Sequence, residues 1–241
     1  SGDSTDDTAL VLSGANESGS SVTVYNGTTL LGAATVSGTG WSYTATVANG
    51  TTYQFNVKET DVAGNTSAAT SNFTVTGDTT APTVSSVSIS SASGVQNSLL
   101  NAGDVVSVSV TFSENVTTTG SPQLTLNVGG TNRTATYGSG SGGTSLVFQY
   151  TIQAGESDAD GISIGANALA LNSGTIRDAA GNNATLTHSA VSANASYKVD
   201  TTAPSAVWSA ATDDAGSVTG SLTSGDSTDD TALVLSGANE S

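Results

Sequence analysis

Apolar and polar residues alternate through most of the chain. In SVTVYNGTTLLGAATV (21–36), Val22 and Val24 alternate with polar residues, Asn26-Gly27 offers a turn with φ > 0, and a second β-rich run follows; the segment predicts a hairpin. TALVLSGANE (8–17), WSYTATV (41–47), TYQFNVKET (52–60) and SNFTVT (71–76) are short and rich in β-branched or aromatic residues, and Gly, Asn or Asp bounds them. The pattern continues through VSSVSIS (84–90), DVVSVSVTFSE (104–114), PQLTLNV (122–128), RTATYG (133–138) and SLVFQYTI (145–152). A less regular run spans 162–178, and ATLTHSAV and ASYKV close the unit, with His188 alternating on the former as an ordinary strand residue. No stretch carries a helical period.

Short strands spaced about every ten residues predict all-β architecture built from β-sandwiches. DTTAP occurs at 78–82 and again at 200–204. Proline fixes φ, so both copies read as short, stiff junctions. Trp41 and Trp208 are spaced as core residues of sandwich strands.

The first 18 residues, SGDSTDDTALVLSGANES, recur letter for letter at 224–241, which sets a repeat period of 223 residues. Self-similarity at a fixed period decides architecture, and the chain is expected to be a window on a tandem array. Three parts follow: 1–78, a sandwich lacking its first strand; 79–200, a sandwich; and 201–241, the opening strands of the next copy. Such a tail has no sandwich of its own, and it is expected to dock head to tail onto the first sandwich of another molecule.

Composition narrows the chemistry. Four Lys and Arg stand against twenty Asp and Glu, a net charge of −16. Such a chain repels nucleic acid and anionic membranes. No run approaches the roughly 20 apolar residues that would insert into a bilayer. Without Cys there are no disulfides and no thiolate metal sites. With His188 as the sole histidine, no nucleophile–His–acid arrangement exists, and the chain is read as non-enzymatic.

The acids are not scattered evenly. In a seven-stranded sandwich the loops that precede the second strand lie at one pole, and those that follow the second and sixth strands lie at the other. Glu114 in SENV (113–116), and Asp178 and Asn182 in RDAAGN (177–182), then fall beside linker Asp78. Asp6 and Asp7 in GDSTDD (2–7) face the same linker from the preceding sandwich. At the opposite pole, Asp104, and Asp158 and Asp160 in GESDADG (155–161), fall beside Asp200. Asp61 in TDVAGN is the first sandwich's counterpart of Asp178, and Asp213 and Asp214 of a docking tail would meet it. Groups of hard oxygen donors suit Ca²⁺, which takes six to eight oxygens at roughly 2.3–2.6 Å. SDADG holds part of an EF-hand loop without its closing Glu, which excludes a true EF-hand.

The paired DTTAP and D-x-A-G-N motifs, with TDDAGSVTGSLTSGDSTDD, LSGANESGSSVTVYNGTTLLGAATV, GWSYT and AGDVVSVSVTFSENVTTTGSPQLTLNVGG, resemble the Ig-like tandem repeats of giant RTX-type surface adhesins of bacteria. The resemblance implies extracellular sandwich modules on a bacterial cell surface, strung in tandem and stiffened by calcium between them. It points to a spacer that projects a distant binding domain in cell adhesion or biofilm formation, with neighbouring repeats as partners. The alternative is a carbohydrate-binding or other ligand-binding module of a secreted protein, which an exposed aromatic platform would mark.

Overall fold

The computed structural model describes residues 2–217 and 219–238. The chain divides into two units, Ser1–Asp200 and Thr201–Ser241. Every regular element among the described residues is a β-strand.

Within the first unit, eight strands precede Asp78: β1 (Asp3–Thr5), β2 (Ala9–Ala15), β3 (Ser21–Asn26), β4 (Thr29–Ala33), β5 (Thr35–Ser37), β6 (Gly40–Thr46), β7 (Thr52–Thr60) and β8 (Phe73–Gly77). They form a five-stranded sheet, β1-β8-β7-β3-β4, and a three-stranded sheet, β2-β6-β5. Ala45, Val47, Phe55 and Val75 are buried between them, and Leu10, Leu12, Tyr43 and Tyr53 pack against this core. The hairpin forms where the pattern places it, with its turn one residue later than expected. Asn26 ends β3 opposite Thr29, and the two-residue loop is Gly27–Thr28 with Gly27 at φ +58°. Asn26 stays in the strand because its Oδ1 accepts the Gln54 amide.

After Asp78 come β9 (Val84–Ala92), β10 (Leu99–Leu100), β11 (Val105–Thr119), β12 (Gln123–Val128), β13 (Thr131–Ser139), β14 (Gly143–Thr151), β15 (Ser157–Asp158), β16 (Leu169–Ala170), β17 (Thr175–Arg177) and β18 (Lys198–Asp200). The main sheet runs β16-β12-β13-β14-β11-β17, with β9 also on β11, and β10-β18-β15 form a second sheet. Strict alternation buries Val106, Val108, Val110 and Phe112 from β11 together with Leu124, Leu126, Leu146 and Phe148. This core is much larger than that of residues 2–77.

Two elements differ from the sequence pattern. SENV was expected as a loop, yet β11 runs through it. Thr111 is the last residue in regular register with β14; the register then shifts, and Thr117–Thr119 pair with β17 instead. The strand stays extended because Val116 is fully buried beyond the bend. His188 was expected on a strand, but ATLTHSAV lies outside the regular strands. There the His188 amide donates to Asn167 Oδ1, and Nε2 accepts the Ala168 amide. These bonds, to residues 20 and 21 positions away in the chain, stand in place of a regular ladder.

The second unit is a three-stranded antiparallel sheet, β20-β19-β21, made of β19 (Val207–Asp213), β20 (Gly220–Leu222) and β21 (Val234–Ala238). The Trp208 side chain, expected in a core, lies outside the described residues.

Candidate metal centre

Between the two cores of the first unit, carboxylate oxygens of Asp78, Glu114 and Asp178 all lie within 4.8 Å of one another. Each is brought there by a different feature. Asp78 opens DTTAP directly after β8, and its amide donates to the Thr5 carbonyl at 2.8 Å. Glu114 sits at the bend of β11. Asp178 follows β17 and is 5% exposed.

The D-x-A-G-N motif explains how Asp178 is held. Its Oδ1 accepts the amides of Gly181 and Asn182 at 2.7 and 2.8 Å, and Oδ2 accepts the Asn182 side-chain amide at 2.8 Å. Gly181 takes φ +111°, a conformation that favours glycine. Asn182 Nδ2 also donates to the Asp78 carbonyl at 2.8 Å, joining loop to linker. TDVAGN folds the same way: Asp61 Oδ1 accepts the amides of Ala63 and Asn65, Oδ2 accepts the Asn65 side chain, and Gly64 takes φ +90°. The motif is a self-closing loop that presents one carboxylate in a fixed pose.

Electrostatics mark the trio as repulsive. Burial and then the charges of Asp178 and Asp78 push the Glu114 carboxyl above its usual range. The hydrogen bonds around Asp61 push that group the other way, with the Asn65 side chain foremost.

The remaining sequence-derived candidates are placed as follows. Asp6 lies alongside the trio's loop: its amide donates to the Ala180 carbonyl, and its carboxylate abuts Gly181. Asp7 accepts the Ala9 amide at 2.8 Å and organises the entry to β2. Asp104 accepts the Asn101 amide and rests against Gly94. Asp158 is 3% exposed, with its two oxygens accepting the amides of Gly129 and Gly161, so it ties two turns together. Asp200 pairs with Ser157 across β15 and β18, while Asp160 is exposed. Among the described residues, Asp104, Asp158, Asp160 and Asp200 do not form a group as close as the trio. In the second unit Asp213 accepts the Ala215 amide, and the Asp214 main chain donates to Asp230.

Two acidic groupings escaped the sequence reading. Glu17, Glu59 and Asp61 line one hollow, where Glu59 Oε1 accepts the Glu17 amide and the Ser20 hydroxyl. The signal was present, since Glu59 continues the inward phase of Phe55 and Val57. The other is Glu156, 5% exposed, which accepts the Tyr150 hydroxyl and the Gln153 amide. Arg133 Nε lies 2.5 Å from Glu156 Oε1, an ion pair by distance without the alignment of a hydrogen bond. Burial and this carboxylate push the Tyr150 hydroxyl up to about 12. Nothing local announces that pair, because 23 residues separate its partners.

Comparison with known proteins places the fold. Residues 1–79 match the family described as Bacterial Ig-like domain. No curated protein matches the chain. Among solved structures, fibronectin(III)-like modules of Clostridium thermocellum CbhA align at 14% identity over 83% of this chain and 89% of theirs, with a TM-score of 0.36. SGBP-B of the Bacteroides ovatus mixed-linkage glucan utilization locus, solved in complex with a mixed-linkage heptasaccharide, aligns at 18% identity over 83% of this chain and 42% of its own, with a TM-score of 0.25. The chain is an all-β protein with an Ig-like sandwich domain.

Proposed function

We propose that the chain is an extender module of a large bacterial surface adhesin, located outside the cell, in which Ca²⁺ stiffens the passage from one sandwich to the next. Neighbouring repeats are its partners and its role is mechanical. The observation that carries this reading is the meeting of Asp78, Glu114 and Asp178. One comes from the linker and two from the sandwich that follows it, while Asp6 of the preceding sandwich abuts the same loop. Two oxygens bound to one Ca²⁺ at about 2.4 Å each are at most about 4.8 Å apart, so the trio's spacing suits a shared ion. All donors are hard oxygens, as Ca²⁺ prefers over transition metals. An ion held there would cancel the repulsion felt by Glu114 and bind linker and sandwich together.

Differential scanning calorimetry in calcium and in EDTA tests the reading. Calcium at tenfold excess over Kd contributes about 1.4 kcal/mol per site, so the melting temperature should fall in EDTA. Asp78→Ala should remove most of that difference while leaving the EDTA value unchanged or higher. Identical melting curves with and without calcium would overturn it.

A further inference from the structure

Strand β2 is the outer strand of its sheet, and among the described residues no strand pairs with its outer edge. Beside that edge a groove of about 430 Å³ opens between the two sheets, lined by Leu10, Leu12, Trp41, Phe55 and Phe73 among others. Val11 is 62% exposed and Phe73 46%. An apolar groove along an unpaired edge is a seat for one more strand.

The repeat names that strand. Residues Val234–Ala238 of β21 have the same sequence as Val11–Ala15 of β2. Strand β19 lies antiparallel on β21, with Val207 opposite Ala238, Ala211 opposite Leu235 and Thr212 opposite Val234. Carried onto the identical residues of β2, this register sets Val207 opposite Ala15, Ala211 opposite Leu12 and Thr212 opposite Val11. A second observation gives the same answer. DTTAP at 78–82 leads into β9, which lies antiparallel on β11. DTTAP at 200–204 leads into β19. The strand after this linker therefore takes the edge of the strand that carries Glu114 in one case. In the other case β2, which ends shortly before Glu17, offers the corresponding edge.

We propose that β19 of one copy of the chain adds to the β2 edge of a second copy in this register, joining molecules head to tail. β2 and β21 offer β19 the same main-chain partners. β2 offers the groove as well, whereas around β21 the residues Leu233, Val234 and Leu235 remain 37%, 55% and 54% exposed. Burial therefore favours exchange from β21 to β2. The contact uses different surfaces on the two molecules, so it propagates as an open chain. It also brings the second DTTAP toward the Glu17, Glu59 and Asp61 hollow, as the first DTTAP meets Glu114 and Asp178. Main-chain register and apolar burial carry this inference, so it stands apart from the calcium reading.

Engineered cysteines test it, since the chain has none of its own. Val11→Cys and Thr212→Cys chains, carrying tags of different length, are unfolded and refolded together in calcium and then oxidised. A disulfide requires Cβ atoms about 4 Å apart. The expected result is a covalent heterodimer of these two variants, at least tenfold more abundant than from Val11→Cys with Val207→Cys. In that control the partner position is displaced four residues along β2, from Val11 to Ala15, or about 13 Å. Sedimentation of the unmodified chain should show mass rising with concentration. Equal yields from the two pairs would overturn the proposal. So would a chain that stays monomeric at all concentrations, or an intramolecular disulfide in the Val11→Cys/Thr212→Cys double variant.

Discussion

Glu114 is the residue at which pH, and the calcium proposed above, would act on the same charge. Its folded pKa lies above the usual 4.5 because of burial and the neighbouring Asp178 and Asp78. A carboxyl raised in this way costs stability above its folded pKa, and the cost fades as pH falls through that value. Without calcium, Glu114→Gln should raise the melting temperature at neutral pH, and the gain should shrink as pH falls toward the ordinary carboxylate range. With calcium, the same variant should lower it, because a ligand is lost. Thermal melts across pH in EDTA and in calcium read both signs, and a change of the same sign in both conditions contradicts the assignment. Asp61 and Glu59 have lowered values from their hydrogen bonds. Their contribution is present above the ordinary carboxylate pKa and is lost as pH falls through the lowered one.

Loops and strand ends show where short motifs suffice and where they do not. The D-x-A-G-N loop closes on itself, so in both copies the Asp carboxylate accepts the main-chain and side-chain amides of the Asn four residues on. Asn182→Ala removes donors to both Asp178 and Asp78 and should cost about 1–2 kcal/mol, measurable by urea denaturation. An unchanged midpoint would mean that the loop is held by other contacts. Glu156 is the opposite case, since its partners Arg133 and Tyr150 come from β13 and β14. Glu156→Ala leaves the half-buried Tyr150 hydroxyl without this acceptor and should cost about 1–3 kcal/mol. Glu156→Gln, which keeps an acceptor and loses the charge, should cost less.

At the level of the whole chain, the two cores of the first unit are unequal. The buried set after Asp78 has nineteen residues, including nine fully buried Leu, Ile and Phe side chains such as Phe148 and Leu126, against four in the buried cluster before it. Stability from apolar burial scales with the area removed from water, so the sandwich before Asp78 should melt first. Calorimetry in EDTA should resolve two transitions. Leu126→Ala should shift only the upper one, with a cost of about 2–5 kcal/mol. A single transition that moves as a whole in Leu126→Ala would show the two cores to be one cooperative unit.

The sequence by itself determined most of the strands, the all-β class and the exact repeat, because period-2 alternation and turn residues are local signals. It also placed Asp78, Glu114 and Asp178 at one pole by counting strand directions. What it left open depends on which edge lies beside a segment. Asp3–Thr5 form a strand because β8 is there to pair with them, whereas the same three residues at 226–228 lie outside any strand. At the other end of that copied stretch, Asp7 and Asp230 each accept the amide two residues on, at 2.8 Å in both copies. A turn closed by a side chain two residues away needs no partner strand and forms wherever its sequence stands. A ladder needs a second edge, and only the tertiary structure supplies one.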